Sequence, residues 1–190
     1  ENSHLRLIST EDPISRHSFV KIIDSRTLKI EEGVDYKNGF LGVDIDVFPI
    51  DGQPENEADF EKWYNKLKKI YSRCNFCVLK NEGSLKKRLA LPVIKFFSNP
   101  KRLRKKAEKL HALYPYSTSK YVGTIEAYFN LKGNRIDRSC YEECVTVPFE
   151  GHTLKAPKGY DAILTKLYGD YMQLPPEEKR HTHIKNAYYK

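Results

Sequence analysis

Nowhere in its 190 residues does the chain carry a run of about 18 apolar residues, which excludes a transmembrane helix. Its opening, ENSHLRLISTEDP, is polar where a secretory leader would be apolar, so no signal peptide is read there. Internal repeats and low-complexity linkers are lacking, which sets repeat architectures aside. Pro175-Pro176 lacks P-x-x-P spacing, so that stretch reads as a rigid tail packed on the domain rather than a ligand for an SH3-like groove. Cysteine is sparse: Cys74-x2-Cys77 and Cys140-x3-Cys144 are the two pairs. Two such pairs could close a tetrahedral zinc site. The second spacing is loose and lies among acidic residues, so reduced thiols are expected.

Composition bounds the rest. A hydrophobic fraction of 39% suffices for the core of one globular domain, with or without a small appendage. Leu5, Leu7 and Ile8 begin a strand with no cap or leader before it, which predicts a further N-terminal portion. Lys and Arg outnumber Asp and Glu by 33 to 25, giving +8. The excess concentrates at 86–109, KKRLALPVIKFFSNPKRLRKKAEK, where Glu108 is the one acid. Such a block attracts polyanions: nucleic acid, nucleotide phosphates or an anionic membrane, where each basic residue contributes on the order of 1 kcal/mol. Val93, Ile94, Phe96 and Phe97 lie inside it, as an interfacial helix requires. The location expected is the cytoplasm, with peripheral contact on the inner face of the membrane.

The strand and helix signals predict an α+β chain. HSFVKIIDSRTLKI at 17–30 reads as a strand, a turn near Asp24-Ser25, and a strand from Thr27. After Pro54, helical spacing puts Phe60, Trp63, Tyr64, Leu67, Ile70 and Tyr71 on one core stripe. Pro92 and Pro100 predict a short helix, a turn, and a second helix from about Leu103 to Leu113. Strands follow over Tyr121–Phe129 and Val145–Glu150, then a helix from Tyr160 to about Leu167 with Gly169 at its C-terminal cap. The expected divisions are 1–54, a core part holding an acidic strand; 55–115, a helical basic insert; and 116–190, a C-terminal region packed on the core.

The candidate site is VDIDVFPIDG, residues 43–52. Val43, Ile45, Val47 and Ile50 favour a strand, and period-2 alternation projects Asp44 and Asp46 from one face. Pro49 should stop the ladder, with a tight turn at Asp51-Gly52. Adjacent carboxylates on one face repel, so the pair needs a cation or a basic partner. Oxygen ligands suit Mg2+ together with substrate phosphates; a solvated face on an edge strand is the alternative. Lys21 points toward the same region, as a phosphate contact or as a surface lysine. His181 and His183, beside Arg180, could ligate metal or donate hydrogen bonds.

FVKIIDSRT at 19–27, IDVFPIDG at 45–52, FEGHTLKAPKGYDAIL at 149–164 and YGDYMQLPPEEKRHTH at 168–183 occur in the order seen in the LicD family of phosphocholine transferases, relatives of fukutin and fukutin-related protein, and the chain resembles that family. The resemblance implies a nucleotidyltransferase-like mixed sheet. It also implies metal-dependent transfer, with Mg2+ or Mn2+, of a phospho-alcohol from CDP-choline or a similar CDP-alcohol to a glycan or lipid-linked glycan hydroxyl, on lipopolysaccharide or teichoic acid. The family's I-D-h-F-P segment puts its site carboxylate at Asp46, as metal ligand or catalytic base, with Asp44 the neighbouring candidate. Lys21, Arg180 and His183 fall in matching segments as donor contacts. The family's upstream Gly-rich turn and D-D-x-D cluster are absent here, which predicts a C-terminal portion inactive by itself. Two other functions compete: a nucleic-acid-binding module using 86–109, which lacks a recognition motif, and a non-catalytic domain derived from a transferase.

Overall fold

The structure, a computed structural model, describes residues 4–12, 19–31, 42–79, 83–124, 134–180 and 184–190. It is a mixed α+β chain of five α-helices and four small sheets among those residues, every strand pair antiparallel. Two compact units divide it: residues 1–48, 66–109 and 178–190 form the first, and 49–65 with 110–177 the second.

In the first unit, β1 (Leu5–Ile8), β2 (Val20–Asp24) and β4 (Asp44–Val47) form a three-stranded sheet with β2 central. The expected strand–turn–strand over Val20 to Ile30 is present, Arg26 folding back onto Asp24 at the turn. β3 (Thr27–Glu31) leaves that sheet and pairs instead with β10 (Ile184–Tyr189). Thr27 stitches the two sheets: its hydroxyl donates to the Asp24 carbonyl at 2.8 Å and accepts from the Val43 amide at 2.7 Å. The helices of this unit are the later part of α1 (Glu57–Val78), α2 (Leu85–Phe97) and α3 (Pro100–His111). Asn56, Ser84 and Asn99 cap their N-termini by accepting backbone amides, from Ala58, Lys87 and Arg102 respectively.

The stripe expected after Pro54 is found in α1, where Phe60, Trp63, Tyr64, Leu67, Ile70 and Tyr71 are all buried. The basic segment differs from expectation. Pro92 does not end a helix but lies inside α2, and the break falls at Ser98-Asn99, with Pro100 opening α3. A proline at the first helical position sacrifices no hydrogen bond, because that amide has no intrahelical partner. At Pro92 the lost bond is tolerated in a helix that buries Leu91 beside it.

The second unit holds a sheet of β5 (Ile50–Gln53), β6 (Tyr121–Thr124) and β7 (Ile136–Asp137), a hairpin of β8 (Cys144–Phe149) and β9 (His152–Pro157), the short α4 (Ser139–Glu142) and α5 (Tyr160–Tyr168). The strand expected over Tyr121–Phe129 is seen to Thr124, and its remainder lies outside the described residues. Gly169 ends α5 as expected, at φ +73°. β9 was not anticipated: HTLKAP is flanked by glycine and lysine rather than by a strand-like apolar run. All four cysteines are free thiols.

The expected turn at Asp51-Gly52 is corrected: both residues belong to β5. Gly52 is needed for close approach instead, since a Cβ there would sit 2.2 Å from the Ser119 hydroxyl oxygen, 2.3 Å from the Tyr114 carbonyl and 2.8 Å from that of Pro115. Gly52→Ala is therefore expected to destabilise the protein by about 2 kcal/mol or more, read as a shifted midpoint in urea unfolding.

Candidate functional site

The antiparallel register of β2 and β4 sets Lys21 opposite Asp46 and Ile23 opposite Asp44. Period-2 alternation then brings Lys21, Ile23, Asp44 and Asp46 to one face of the sheet. The Lys21 ammonium lies 2.6 Å from Asp44 Oδ2 and 2.5 Å from Asp46 Oδ1, bridging the two carboxylates. Lys29, from β3, donates to Asp44 Oδ1. Asp44 thus accepts one ammonium on each oxygen. The basic partner that the repelling carboxylates require is a pair of lysines.

The side chains of Lys21 and Lys29 are each 7% exposed and that of Asp44 5%, whereas Asp46 is 37% exposed. Burial alone would raise the Asp44 pKa; hydrogen bonds from Lys21 and Lys29 more than offset it, and the carboxyl is held below its ordinary range. Lys21 is therefore neither a surface lysine nor open to solvent, but a buried ion-pair partner. Its ammonium also lies 5.1 Å from the Phe19 ring centroid, and Phe19 in turn packs on Phe48 at 4.5 Å, so the motif's own phenylalanine helps to wall the cluster.

A divalent cation does not fit Asp44, both of whose oxygens are engaged by ammonium groups. Asp46, with only Oδ1 engaged, could offer its other oxygen. Among the described residues no group of three or more His, Cys, Asp or Glu side chains is placed to hold a metal ion. Arg180 lies exposed after the 3-10 turn Glu177–Lys179, and His183 falls outside the described residues. The residue that sequence reasoning missed is Lys29. Its signal was present: VKII and TLKI each put one lysine inside an apolar strand shortly before the two aspartates.

In the second unit, β5 carries the other aspartate of the motif. Asp51 Oδ2 lies 3.8 Å from His111 Nδ1, and the His111 ring stands edge-on to Trp63 with centroids 6.0 Å apart. Burial depresses the His111 pKa to about 4 and raises that of Asp51, so at neutral pH the imidazole is uncharged and the contact is no ion pair. Sequence reasoning singled out neither residue for this role.

Two measurements test these electrostatics. Asp44→Asn leaves two buried ammonium groups around a neutral amide and is expected to cost about 3–5 kcal/mol in denaturant unfolding. Because its folded pKa is lowered, the Asp44 contribution is complete above the ordinary value of 3.8 and lost as pH falls through the lower folded value. For His111 the unfolded chain binds more protons than the folded one between pH 6.5 and about 4, so stability should fall as pH drops across that window. In His111→Phe that slope in Tm against pH should be shallower; an unchanged slope would contradict the buried neutral imidazole. Asp51, with its raised pKa, acts in the opposite sense at the acid end.

No family model matches the chain, and no solved structure matches it. Over 194 residues the chain is 26% identical to the lipopolysaccharide cholinephosphotransferase LicD of Haemophilus influenzae, an alignment covering 98% of this chain and 71% of that protein. Coverage that complete takes in the strands of the carboxylate–lysine cluster, and the segments IDVFPIDG and YGDYMQLPPEEKRHTH resemble the same family. Along nearly its whole length the chain is similar to that LicD protein.

Proposed function

We propose that the protein transfers phosphocholine, or a similar phospho-alcohol, from CDP-choline or a related CDP-alcohol to a hydroxyl of a cell-envelope glycan such as lipopolysaccharide or teichoic acid. The observation that carries this reading is the match along nearly the whole chain to a lipopolysaccharide cholinephosphotransferase. A nucleotidyltransferase-like sheet belongs to the same proposal. Its support is the family resemblance, together with a mixed α+β chain that presents paired carboxylates on an edge strand.

In this reaction the acceptor oxygen attacks the donor phosphorus, the bond from that phosphorus to the CMP oxygen breaks, and the acceptor proton must go to a base. Asp46 is the proposed base. It is the exposed member of the cluster, and Lys21 grips one of its oxygens, which fixes the carboxylate plane and leaves the other oxygen to face a hydroxyl. Lys21 and Lys29 act through position: they hold Asp44, and through the β2–β4 register they hold Asp46 on the same face. Arg180 is proposed as a contact to the donor phosphates, where a guanidinium can pair with two oxygens. A divalent ion, when bound, would neutralise the phosphates. Among the described residues, Asp46 alone would be available to hold it.

A donor panel supplied with Mg2+ or Mn2+ and lipopolysaccharide acceptor, read as release of nucleotide monophosphate and as labelled acceptor, tests the proposal. Asp46→Asn is expected to lower turnover at least about a hundredfold, as loss of a positioned charged group does. Its Tm should stay close to that of the unaltered protein, because Lys21 retains Asp44. Turnover near that of the unaltered protein would remove Asp46 from the reaction.

A further inference from the structure

We infer that α2 is a docking helix that lies on an anionic lipid surface and is seated there by its outward apolar stripe. At about 100° per residue, Leu85, Leu89, Val93, Phe96 and Phe97 fall within about a third of the helix circumference. All five are exposed, from 56% at Val93 to 83% at Phe96. Leu91 points the other way and is 2% exposed. The helix therefore already has its core contact, and the stripe is a second apolar face that the fold leaves outside. Phe96 and Phe97 pack edge to face with centroids 5.1 Å apart, forming a single aromatic knob at the end of the stripe.

Charge identifies what the face meets. The first turn of α2 holds Lys86, Lys87 and Arg88 and no acid, although the positive end of the helix dipole favours Asp or Glu there. Among the described residues no carboxylate pairs with any of the three. The first turn of α3 likewise lacks an acid, and Lys101, Arg102, Lys105, Lys106 and Lys109 are exposed along it. Cations left uncompensated at an unfavourable helix end, beside exposed Leu and Phe, match a surface of anionic headgroups over acyl chains. A nucleic acid would use the charge and leave the apolar stripe in water. No helix among the described residues is long and apolar enough to cross a membrane, so the contact is interfacial.

Sedimentation of the whole chain with phosphatidylcholine vesicles, with and without phosphatidylglycerol, tests this without donor or acceptor. Its outcome is thus separate from that of the transferase reading. Binding is expected on the anionic vesicles, weakened about a hundredfold by Lys86→Glu, Lys87→Glu and Arg88→Glu together and at least about tenfold by Phe96→Ser with Phe97→Ser. Phe96→Trp, which keeps an aromatic in place, should show blue-shifted emission on anionic vesicles only. The inference is overturned if anionic vesicles are not bound, if the two serines leave binding unchanged, or if single-stranded oligonucleotides at the same physiological salt bind while the vesicles do not.

Discussion

A carboxylate with an ammonium group on each oxygen, Asp44 between Lys21 and Lys29, is the constraint around which the first unit is arranged. Each of these three charges would be costly to bury alone, and their mutual attraction offsets desolvation only if the geometry is kept. That condition ties three strands together: β2 brings Lys21, β3 brings Lys29 and β4 brings Asp44. β3 belongs to a different sheet, so the ion cluster and the Thr27 hydroxyl are what join the two sheets at this point. Buried ion pairs contribute little net stability against an apolar substitute, but they discriminate against a shifted register. Moving β4 by one residue would turn both aspartates to the opposite face and bury Ile45 against two ammonium groups.

The same constraint explains why β4 is turned with its charges inward. Ile45 is 69% exposed and Val47 46%, and on β1 Leu7 is 61% exposed, while the aspartates face the lysines. Leu7, Ile22 and Ile45 are cross-strand neighbours, forming an apolar row over the outer face of the sheet. Hydrophobicity alone would have oriented this edge strand the other way. Two lysines in the interior make the carboxylate face the one that is satisfied on burial. Asp46, at the margin of the cluster, combines a fixed position with access to solvent, and a reacting carboxylate needs both.

Legibility in the sequence followed the strength of each local signal. The α1 stripe could be read because six large side chains recur at helical spacing with no competing pattern, and the turn at Asp24-Ser25 because two β-branched runs flank a polar pair. The aspartate pair and its need for a compensating charge were legible from alternation alone. Lys29 was not, since strand order is a tertiary fact and nothing local says that β3 leaves its hairpin neighbour to place a side chain beside β4. Gly52 misled for a related reason. Asp-Gly usually marks a turn, and only the approach of the Tyr114 and Pro115 carbonyls reveals a strand that cannot carry a Cβ.

Helix 85–97 shows where periodicity stops informing. Its apolar residues are too many for one face, so a pattern can announce that some will be buried without saying which. Burial of Leu91 settles the inner side, and the acid-free, lysine-rich first turn shows that the helix is not tuned for stability in isolation. A helix that tolerates an interior proline, an adverse dipole and five exposed apolar side chains departs from local consistency in three ways at once. Such departures persist where something outside the fold repays them. An anionic surface answers the charges and the apolar stripe together, whereas a purely structural role answers neither.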